Sequence, residues 1–301
     1  MHIVEKLQKL KKERNAVILV HNYQLPEIQD IADYSGDSLG LSIEASRTDA
    51  DVIVFCGVYF MAETAKIISP DKTVLIPEPS AGCPMADMIT VAQLKELKAR
   101  HSGARVMCYV NSTAEVKAEC DICCTSGNAL ELSRRAFAPD EEVIFVPDQH
   151  LANYTARELS RKFIIHKGYC PTHARILPEH VLAKRKEYPE AQVLVHPECS
   201  LAVIDQADKA LSTGGMSSYV KKSPIREFII GTENGMVYRL QKDNPDKKFY
   251  PLSDLMICPN MKKTTLDKVI HVLEAMENQV IVDKDIADKA RGAIDAMLKY
   301  S

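Results

Sequence analysis

Three cysteines that each precede a proline are the residues of this chain whose pattern points most directly to metal chemistry. They are Cys83, Cys170 and Cys258, and each is followed by a stretch rich in Leu, Lys, Glu and Ala that is typical of a helix. Proline suits the first turn of a helix, so each cysteine is predicted at or near an N-cap. There, backbone N–H groups and the helix dipole stabilise a thiolate, the form of cysteine that binds metals.

The three cysteines occupy equivalent places in a threefold internal repeat. A first set of apolar runs opens the repeats with AVILVHNY at 16–23, ARVMCYVN at 104–111 and AQVLVHPE at 191–198. The cysteine follows 66 residues after Val17, 64 after Val106 and 65 after Val193. Three equivalent loops are therefore predicted to bring three thiolates to one point, beyond the carboxyl ends of the strands.

Two further sets of apolar runs extend the repeat. The second set is ADVIVFCG at 50–57, CDICCTSG at 120–127 and ADKALSTG at 207–214. The third set is KTVLIPEP from Lys72, EEVIFVPD from Glu141 and REFIIGTE from Arg226, and the segments 28–46 and 128–137 between runs are predicted to be helical. Strands that alternate with helices indicate parallel βαβ units. The predicted fold class is therefore α/β, with three repeated three-layer α/β/α sandwich domains around a pseudo-threefold axis.

The predicted domain boundaries follow the repeats. They are 1–85, 86–172 and 173–279, with a C-terminal helix at 280–301 packed on the first domain.

The chemistry of the cysteine site has two interpretations at this stage. A 4Fe-4S cluster normally takes four cysteines, so three would leave one iron open to a substrate, as in a Lewis-acid cluster. A zinc site completed by His173 or His196 is the competitor, and spacing does not separate the two. The C-x-x-C-C motif of Cys120, Cys123 and Cys124 lies on a predicted strand, where buried thiols are the simpler interpretation.

Polar residues at corresponding loop ends predict a shared small-molecule pocket. The residues after the first strands are His21, Tyr23, Tyr109, Asn111, His196 and Glu198, and those after the second strands or their equivalents are Ser38, Ser126 and Thr213. Histidine and a partly buried glutamate are a common general acid-base pair. Hydroxyls beside glycine turns bind phosphate or carboxylate, although they cap helices just as readily.

Composition excludes several other classes of protein. Basic residues number 38 against 41 acidic ones, a net charge of −3, so nucleic acid is not an expected partner. No apolar stretch approaches the roughly 20 residues that span a bilayer, and the charged N-terminal segment is unlike a secretion signal. A cytoplasmic location is expected, where nine cysteines are not a disulfide framework.

Several ordered segments of the chain resemble those of the quinolinate synthase family. They are HNYQLPEIQDIADYSGDS from His21, VYFMAETAKI from Val58, GCPMADM from Gly82, YVNST from Tyr109, GYCPTH from Gly168, HPEC from His196, STGGM from Ser212 and CPNMKKTTL from Cys258. The resemblance implies an oxygen-sensitive 4Fe-4S cluster on Cys83, Cys170 and Cys258. It also implies the reaction of a transferase of NAD biosynthesis, which condenses iminoaspartate with dihydroxyacetone phosphate to quinolinate and releases phosphate and water.

The resemblance also implies the roles of individual residues. The implied catalytic residues are His21, Tyr23, Tyr109 and Glu198. The implied substrate-binding residues are His21, Ser38, Tyr109, Asn111, Ser126, His173, His196, Glu198 and Thr213. Functional coupling to the enzyme that produces the imine is a further expectation. The C-x-x-C-C motif is outside the family pattern, which leaves a regulatory thiol pair open, and a non-catalytic iron-sulfur or zinc protein is the alternative function.

Overall fold

Twelve short strands form three separate four-stranded sheets in the computed structural model, which describes residues 3–300. All pairings between these strands are parallel. The first sheet has the order β2-β1-β3-β4, with β1 (Ala16–His21), β2 (Tyr34–Gly36), β3 (Val52–Cys56) and β4 (Thr73–Leu75). The second has the order β6-β5-β7-β8, with β5 (Arg105–Tyr109), β6 (Ile122–Cys124), β7 (Val143–Val146) and β8 (Ile164–Ile165). The third has the order β10-β9-β11-β12, with β9 (Gln192–Val195), β10 (Lys209–Ala210), β11 (Glu227–Gly231) and β12 (Lys248–Pro251).

Helices connect the strands and cover the sheets. In the first third of the chain they are α1 (Ile3–Glu13), α2 (Pro26–Asp30), α3 (Ser38–Arg47), α4 (Tyr59–Ile68) and α5 (Val91–Arg100). The middle third contains α6 (Ala114–Lys117), α7 (Ala129–Ala136), α8 (Gln149–Leu159) and α9 (Pro178–Glu187). The last third contains α10 (Leu201–Ile204), α11 (Thr213–Lys222), α12 (Gly235–Asp243), α13 (Leu266–Ala275) and α14 (Lys284–Lys299). Three short 3₁₀ turns are Ala86–Met88, His173–Arg175 and Asn260–Lys262.

The two central strands of each sheet are the apolar part of the fold. Strands β3 and β7 are buried along their whole length, and β1 is buried except at its first residue. Burial on both faces is typical of parallel strands covered by helices on each side. The α/β class and the three repeated units are therefore confirmed.

A repeated aspartate shows which strands are equivalent. Its carboxylate accepts a hydrogen bond from a backbone N–H of the first strand 15 residues earlier in each unit. The pairs are Asp33 with Ile18 at 2.8 Å, Asp121 with Val106 at 2.6 Å, and Asp208 with Val193 at 2.7 Å. Each aspartate immediately precedes its second strand, so β2, β6 and β10 correspond.

The predicted alignment of the second and third runs was wrong in the first unit. The run at 50–57 forms β3, which pairs with β1 as β7 pairs with β5 and β11 with β9. Its true counterparts are the runs from Glu141 and Arg226, and the run from Lys72 forms the edge strand β4. The real second strand, β2, lies inside the segment 28–46 that was predicted to be helical. It is three residues long and begins at the exposed Tyr34, so no apolar run marks it.

The C-terminal helix contacts two units. Helix α14 packs against α4 of the first unit and against α6 and β6 of the second, burying a stripe that includes Ala290 and Ile294. The domain boundaries stay a prediction. No helix between residues 3 and 300 is both long and apolar enough to cross a bilayer.

Candidate active site

A central cavity of about 250 Å³ lies where loops of the three units meet. This volume is near the lower end of the range for small-molecule pockets, about 300 to 1,000 Å³. The sequence-predicted site residues on its wall are His21, Tyr23, Ser38, Cys83, Tyr109, Asn111, Ser126, Cys170, His173, His196, Glu198 and Cys258. Thr213 is the predicted residue that does not line it. The Thr213 hydroxyl is buried and accepts a hydrogen bond of 3.1 Å from the side-chain amide of Asn22.

The repeat explains why these side chains converge. The reference position in each unit is the strand residue whose backbone N–H donates to the repeated aspartate. Three positions after it come His21, Tyr109 and His196, and five positions after it come Tyr23, Asn111 and Glu198. Both positions lie at the carboxyl end of the first strand, where parallel sheets bind ligands. The hydroxyl residues follow the second strands in the same way, because Ser38 opens α3 and Thr213 opens α11.

The three cysteines each lie two or three residues before a 3₁₀ turn. Backbone N–H groups of Met85 and Ala86 donate to the Cys83 thiol, and corresponding groups two or three residues ahead donate to Cys170 and Cys258. The N-caps of these turns are Met85, Thr172 and Pro259, so each cysteine lies one or two residues before the N-cap of a short 3₁₀ turn and not at the N-cap of an α-helix. Helices α5, α9 and α13 begin several residues later. The proline geometry suits a tight first turn as well as it suits an α-helix.

Burial is the main influence on the three thiols. It raises the pKa of Cys83 to about 12 and also raises the pKa of Cys170 and of Cys258. The thiols are therefore protonated at neutral pH when no metal is bound. A metal that takes thiolates would displace these protons, which couples its binding to pH.

Two carboxylates hold the loops of the second and third cysteines. Glu233 is fully buried, and its Oε1 accepts a hydrogen bond of 3.2 Å from the backbone N–H of Cys258. The same side chain forms an ion pair of 2.8 Å with Lys262. Asp148 is the counterpart in the second unit: its Oδ1 accepts a hydrogen bond of 2.6 Å from the backbone N–H of Leu151, and the backbone N–H of Cys170 interacts with its carboxyl group and favours the carboxylate. Asp148 lies two residues after Val146, which pairs with Cys108 of β5, and Glu233 lies two residues after Gly231, which pairs with Val195 of β9. The two acids therefore occupy equivalent positions in their units.

A continuous chain of hydrogen bonds crosses the cavity wall. The Tyr23 hydroxyl lies 2.6 Å from the Thr232 hydroxyl, which lies 2.9 Å from Nε2 of His173. Nδ1 of His173 lies 2.8 Å from Oε2 of Glu198, and the Tyr109 hydroxyl donates to Oε1 of Glu198 at 2.5 Å. Donors and acceptors match if His173 carries its proton on Nδ1, because Thr232 then donates to Nε2 and accepts from Tyr23.

Glu198 is the anion of this chain. Burial alone would raise its pKa, but the neighbouring His173 and His196 and the hydrogen bonds from His173 and Tyr109 lower the pKa of Glu198 below its ordinary value. Burial and the charge of Glu198 raise the pKa of both Tyr23 and Tyr109. The site therefore holds a carboxylate between two neutral phenols and an imidazole.

His21 and His196 share one local geometry. The backbone N–H two residues later donates to Nδ1 in both, from Tyr23 at 3.2 Å and from Glu198 at 3.3 Å. Burial lowers the pKa of each to about 3, although Glu198 partly opposes the shift. Both rings are therefore neutral at pH 7, and the proton is on Nε2. In His196 this Nε2 faces the Ser126 hydroxyl at 3.1 Å.

The geometry bears on the choice between iron and zinc. Cys170, His173 and Glu198 form the one group of potential metal ligands found among residues 3–300, with ligand atoms within 4.8 Å of one another. However, both ring nitrogens of His173 already have hydrogen-bond partners, and so do both ring nitrogens of His196. A zinc ion completed by either histidine would break this network, whereas a cluster held by three thiols leaves it intact.

Two polar groups on the cavity wall lack a protein partner. The side-chain oxygen Oδ1 of Asn111 is buried and accepts no hydrogen bond. A buried amide oxygen without a donor is costly, so it is suited to receive an N–H group of a ligand. Arg175, in the second 3₁₀ turn, is exposed at the cavity and takes part in none of the hydrogen bonds or ion pairs described for residues 3–300. A guanidinium in this position is suited to bind a carboxylate or phosphate group.

Sequence reasoning missed four of these residues: Thr232, Glu233, Lys262 and Arg175. Thr232 and Glu233 end the run REFIIGTE, which from its sequence is predicted only as an apolar strand closed by a glycine. Their signal was positional, since they follow β11 at the carboxyl edge where the other site residues lie. Arg175 was within two residues of the histidine that was noted.

Comparisons with known proteins agree with this geometry. The family model described as "Quinolinate synthetase A protein" matches residues 5–299. A curated relative called quinolinate synthase from Dehalococcoides mccartyi (strain CBDB1) is 56% identical over 297 residues, which cover 99% of this chain and 98% of the relative. A quinolinate synthase from Geotalea uraniireducens (strain Rf4) is 52% identical over 296 residues, covering 98% and 97%. One from Alkaliphilus metalliredigens (strain QYMF) is 52% identical over 299 residues, covering 99% and 98%.

Proposed function

The chain belongs to the quinolinate synthetase A family, and we propose that it performs quinolinate synthesis with a 4Fe-4S cluster on Cys83, Cys170 and Cys258. Its activity is that of a quinolinate synthase, which condenses iminoaspartate with dihydroxyacetone phosphate to quinolinate, with release of phosphate and water, in NAD biosynthesis. The observation that carries the proposed cofactor is the set of three thiols from three equivalent loops on one cavity wall.

The donor set fits such a cluster. Cysteine thiolates are the usual ligands of 4Fe-4S clusters, and backbone N–H groups that donate to sulfur are among the features that tune them. Each of the three sulfurs here receives such donors from its own 3₁₀ turn. When bound by three cysteines, the cluster would supply one Lewis-acidic iron that can coordinate a substrate nitrogen or oxygen.

Glu198 and His173 are proposed to move protons in the reaction. The carboxylate of Glu198 holds the proton of His173 on Nδ1, which leaves Nε2 as a base toward Thr232. A proton that the Tyr23 oxygen takes from a substrate group could pass through the Thr232 hydroxyl to Nε2 of His173. Release of water requires a leaving oxygen to be protonated, and Tyr23 and Tyr109 are the neutral phenols on the wall that can donate.

His21 and His196 are proposed to bind rather than to act as imidazolium acids. Their pKa values of about 3 keep both rings neutral across the physiological range. Each ring therefore offers one N–H, on Nε2, to a substrate oxygen or to the Ser126 hydroxyl. This modifies the sequence-based expectation for His21, which had it moving protons with Glu198.

The substrate anions are proposed to bind at two kinds of group. Arg175 provides a positive charge on the cavity wall, and Ser38 and Ser126 provide hydroxyls beside the starts of α3 and α7. Helix starts favour phosphate and carboxylate because their first N–H groups are unpaired. Asn111 is proposed to accept an N–H of the imine or enamine through its unpaired Oδ1.

Anaerobic purification tests the proposal. The measurements are iron and sulfide content, the visible spectrum, and quinolinate formed from dihydroxyacetone phosphate and enzymatically generated iminoaspartate. We expect about four irons per chain and quinolinate formation. Cys83→Ala, Cys170→Ala and Cys258→Ala should each lose both, whereas Cys56→Ala, a buried strand cysteine away from the cavity, should keep both. Zinc in place of iron, with no quinolinate after cluster reconstitution, would refute the assignment.

Coupling to an enzyme that supplies the imine and the cytoplasmic location stay predictions.

A further inference from the structure

A second group of thiols lies behind the cavity wall, on the β5–β6 side of the second unit. Cys108 is on β5, Cys123 and Cys124 are on β6, and Cys120 lies just before β6. All four are free cysteines, and none of them lines the cavity. Cys108, Cys123 and Cys124 are fully buried, whereas Cys120 is partly exposed.

Strand register decides which thiols can meet. Cys108 pairs with Cys123, and Tyr109 pairs with Cys124, on neighbouring parallel strands. Side chains alternate between the faces of a sheet, so Cys108 and Cys123 share one face and Cys124 points to the other. Paired strands lie about 4.8 Å apart. This distance is inside the range of about 4.4 to 6.8 Å between Cα atoms that a disulfide can span.

A buried lysine makes the surroundings of Cys108 electropositive. Lys117 is completely buried, and its ammonium donates to the Thr64 hydroxyl at 3.0 Å and to the Ser112 carbonyl at 2.7 Å. Both partners are neutral, and no ion pair between Lys117 and a carboxylate is formed within residues 3–300. The carboxyl of Glu63 is near enough to feel the charge of Lys117 but forms no ion pair with it, so the ammonium is only partly compensated and would stabilise a thiolate nearby.

The hydrogen bonds around Cys108 also favour its thiolate form. In the thiol form, Cys108 donates to the Tyr109 carbonyl at 3.3 Å and Cys120 donates to the Val116 carbonyl at 3.0 Å. The neighbouring thiols of Cys120 and Cys123 stabilise the thiolate of Cys108 and lower its pKa well below the ordinary value, against the effect of burial. The hydroxyl of Ser112 and the charge of Lys117 lower it further. Cys108 is therefore the nucleophile of the group, and its two thiol neighbours are in place to react with it.

We propose that Cys108 is a peroxide-sensitive thiol that forms a disulfide with Cys120 or Cys123, the two cysteines that contact it. The site is separate from the cysteines proposed to hold the cluster, and its chemistry does not depend on the proposed function. The partly exposed Cys120 is the side from which a small oxidant can enter.

The oxidation balances with hydrogen peroxide as the two-electron oxidant. The Cys108 thiolate attacks one peroxide oxygen, the O–O bond breaks, and hydroxide leaves as Cys108 becomes a sulfenic acid. The thiol of Cys120 or Cys123 then attacks the Cys108 sulfur, and the S–O bond breaks with loss of water. Two thiols are oxidised to one disulfide, one peroxide is reduced to two waters, and a thiol reductant can reverse the change.

Trypsin provides a direct test, because cleavage after Lys117 separates the two halves of the group. Peptide 106–117 contains Cys108 as its one cysteine, and peptide 118–134 contains Cys120, Cys123 and Cys124. The full chain, purified anaerobically with its metal, is treated with limiting hydrogen peroxide, alkylated in denaturant and digested. We expect a mass for the two peptides joined by a disulfide, which disappears after treatment with dithiothreitol.

Variants of the same chain provide matched controls. Cys124→Ser should keep the cross-link, and the double variant Cys120→Ser/Cys123→Ser should lose it. Lys117→Met removes the trypsin site between the two peptides, so its cross-link is measured as the loss of two alkyl groups from the single peptide 106–134. The cross-link should form more slowly, by up to about tenfold for a rise of one unit in the pKa of Cys108. Circular dichroism of each variant checks that the fold is retained, and the cysteine variants test the proposal even if Lys117→Met does not fold.

Three results would overturn the proposal. The first is a Cys108 peptide that stays fully alkylated at peroxide doses that oxidise other thiols of the protein. The second is a cross-link that fragmentation places at Cys124. The third is a cross-link that forms at the same rate in urea-unfolded protein, which would show that the folded arrangement does not promote it.

Discussion

Replacing Thr232 with valine tests the hydrogen-bonded chain at its centre. The Thr232 hydroxyl connects Tyr23, at 2.6 Å, to Nε2 of His173, at 2.9 Å. Valine keeps the shape of threonine but removes the hydroxyl, so His173 loses the partner of Nε2 while Glu198 still holds Nδ1. We therefore expect Thr232→Val to bind substrates and to turn them over slowly.

The structure sets the size of the effect. Thr232 is completely buried and His173 is 1% exposed, so water does not easily replace the missing hydroxyl. A buried acceptor left unpaired costs about 1 to 3 kcal/mol. If this loss falls on the step that needs the proton, kcat decreases by about 5-fold to 150-fold, because 1.36 kcal/mol corresponds to a factor of ten. Tyr23 is only half-buried, and its hydroxyl can bind water instead.

The assay is the formation of quinolinate by anaerobically purified enzyme of known iron content. Thr232→Ser is the matched control, since it restores the hydroxyl and should recover most of kcat. The double variant Tyr23→Phe/Thr232→Val should cost about as much as the more damaging single variant, because residues that act as one unit are not additive. Thr232→Val with normal iron content and unchanged kcat would refute the proposed chain.

Three other predictions concern binding, stability and pH. Arg175→Met should raise KM for a substrate anion about tenfold or more, the loss of one charge-assisted hydrogen bond, while Arg175→Lys should recover part of it; unchanged KM for both substrates would contradict this. Glu233→Gln should lower the free energy of unfolding by about 1.5 to 3 kcal/mol, since Lys262 loses its carboxylate partner but stays partly exposed and bonded to the Tyr23 carbonyl. Urea unfolding measures this, with the surface variant Asp243→Asn as a control that should change little. The pKa of His196 is about 3 in the folded protein against an ordinary 6.5, so the unfolded chain binds more protons between these values and stability falls as pH decreases through them. His196→Asn should make that decline shallower by up to about 1.4 kcal/mol per pH unit, and an unchanged slope would contradict the neutral assignment.

The first strands and the cysteines could be predicted because both carry strong local patterns. Long buried β-branched runs mark the central strands, and Cys-Pro marks a turn. The second strands carry no such pattern. Strand β2 has three residues and β10 has two, and an exposed Tyr34 begins the first of them. Pairing along a neighbouring strand, and not the apolar content of the segment itself, makes these residues strands, so a gapless comparison of apolar runs matched β3 with the wrong partners.

Most residues of the site could be predicted from the sequence, but the hydrogen bonds between them could not. Residues at the ends of the first strands were found because the repeat places them at one edge. Thr232 was missed because its role depends on where His173 and Tyr23 lie, and these come from loops of the other units. The neutral state of His21 was also beyond sequence reasoning, since it arises from burial that only the assembled units produce.

The three repeats place their cysteine loops in equivalent positions, but different groups hold these loops. In the second and third units an acid after the third strand, Asp148 or Glu233, holds the backbone of the cysteine loop. The corresponding position in the first unit is Val58, which cannot do so. The loop of Cys83 is instead held by the backbone N–H of Tyr59, which donates to the Ala81 carbonyl at 2.8 Å, and by the side-chain amide of Asn260 from the third unit, which donates to the Gly82 carbonyl at 2.7 Å. The position of the first cysteine therefore depends in part on the docking of the third unit, and a site for three thiols exists only when the units are assembled.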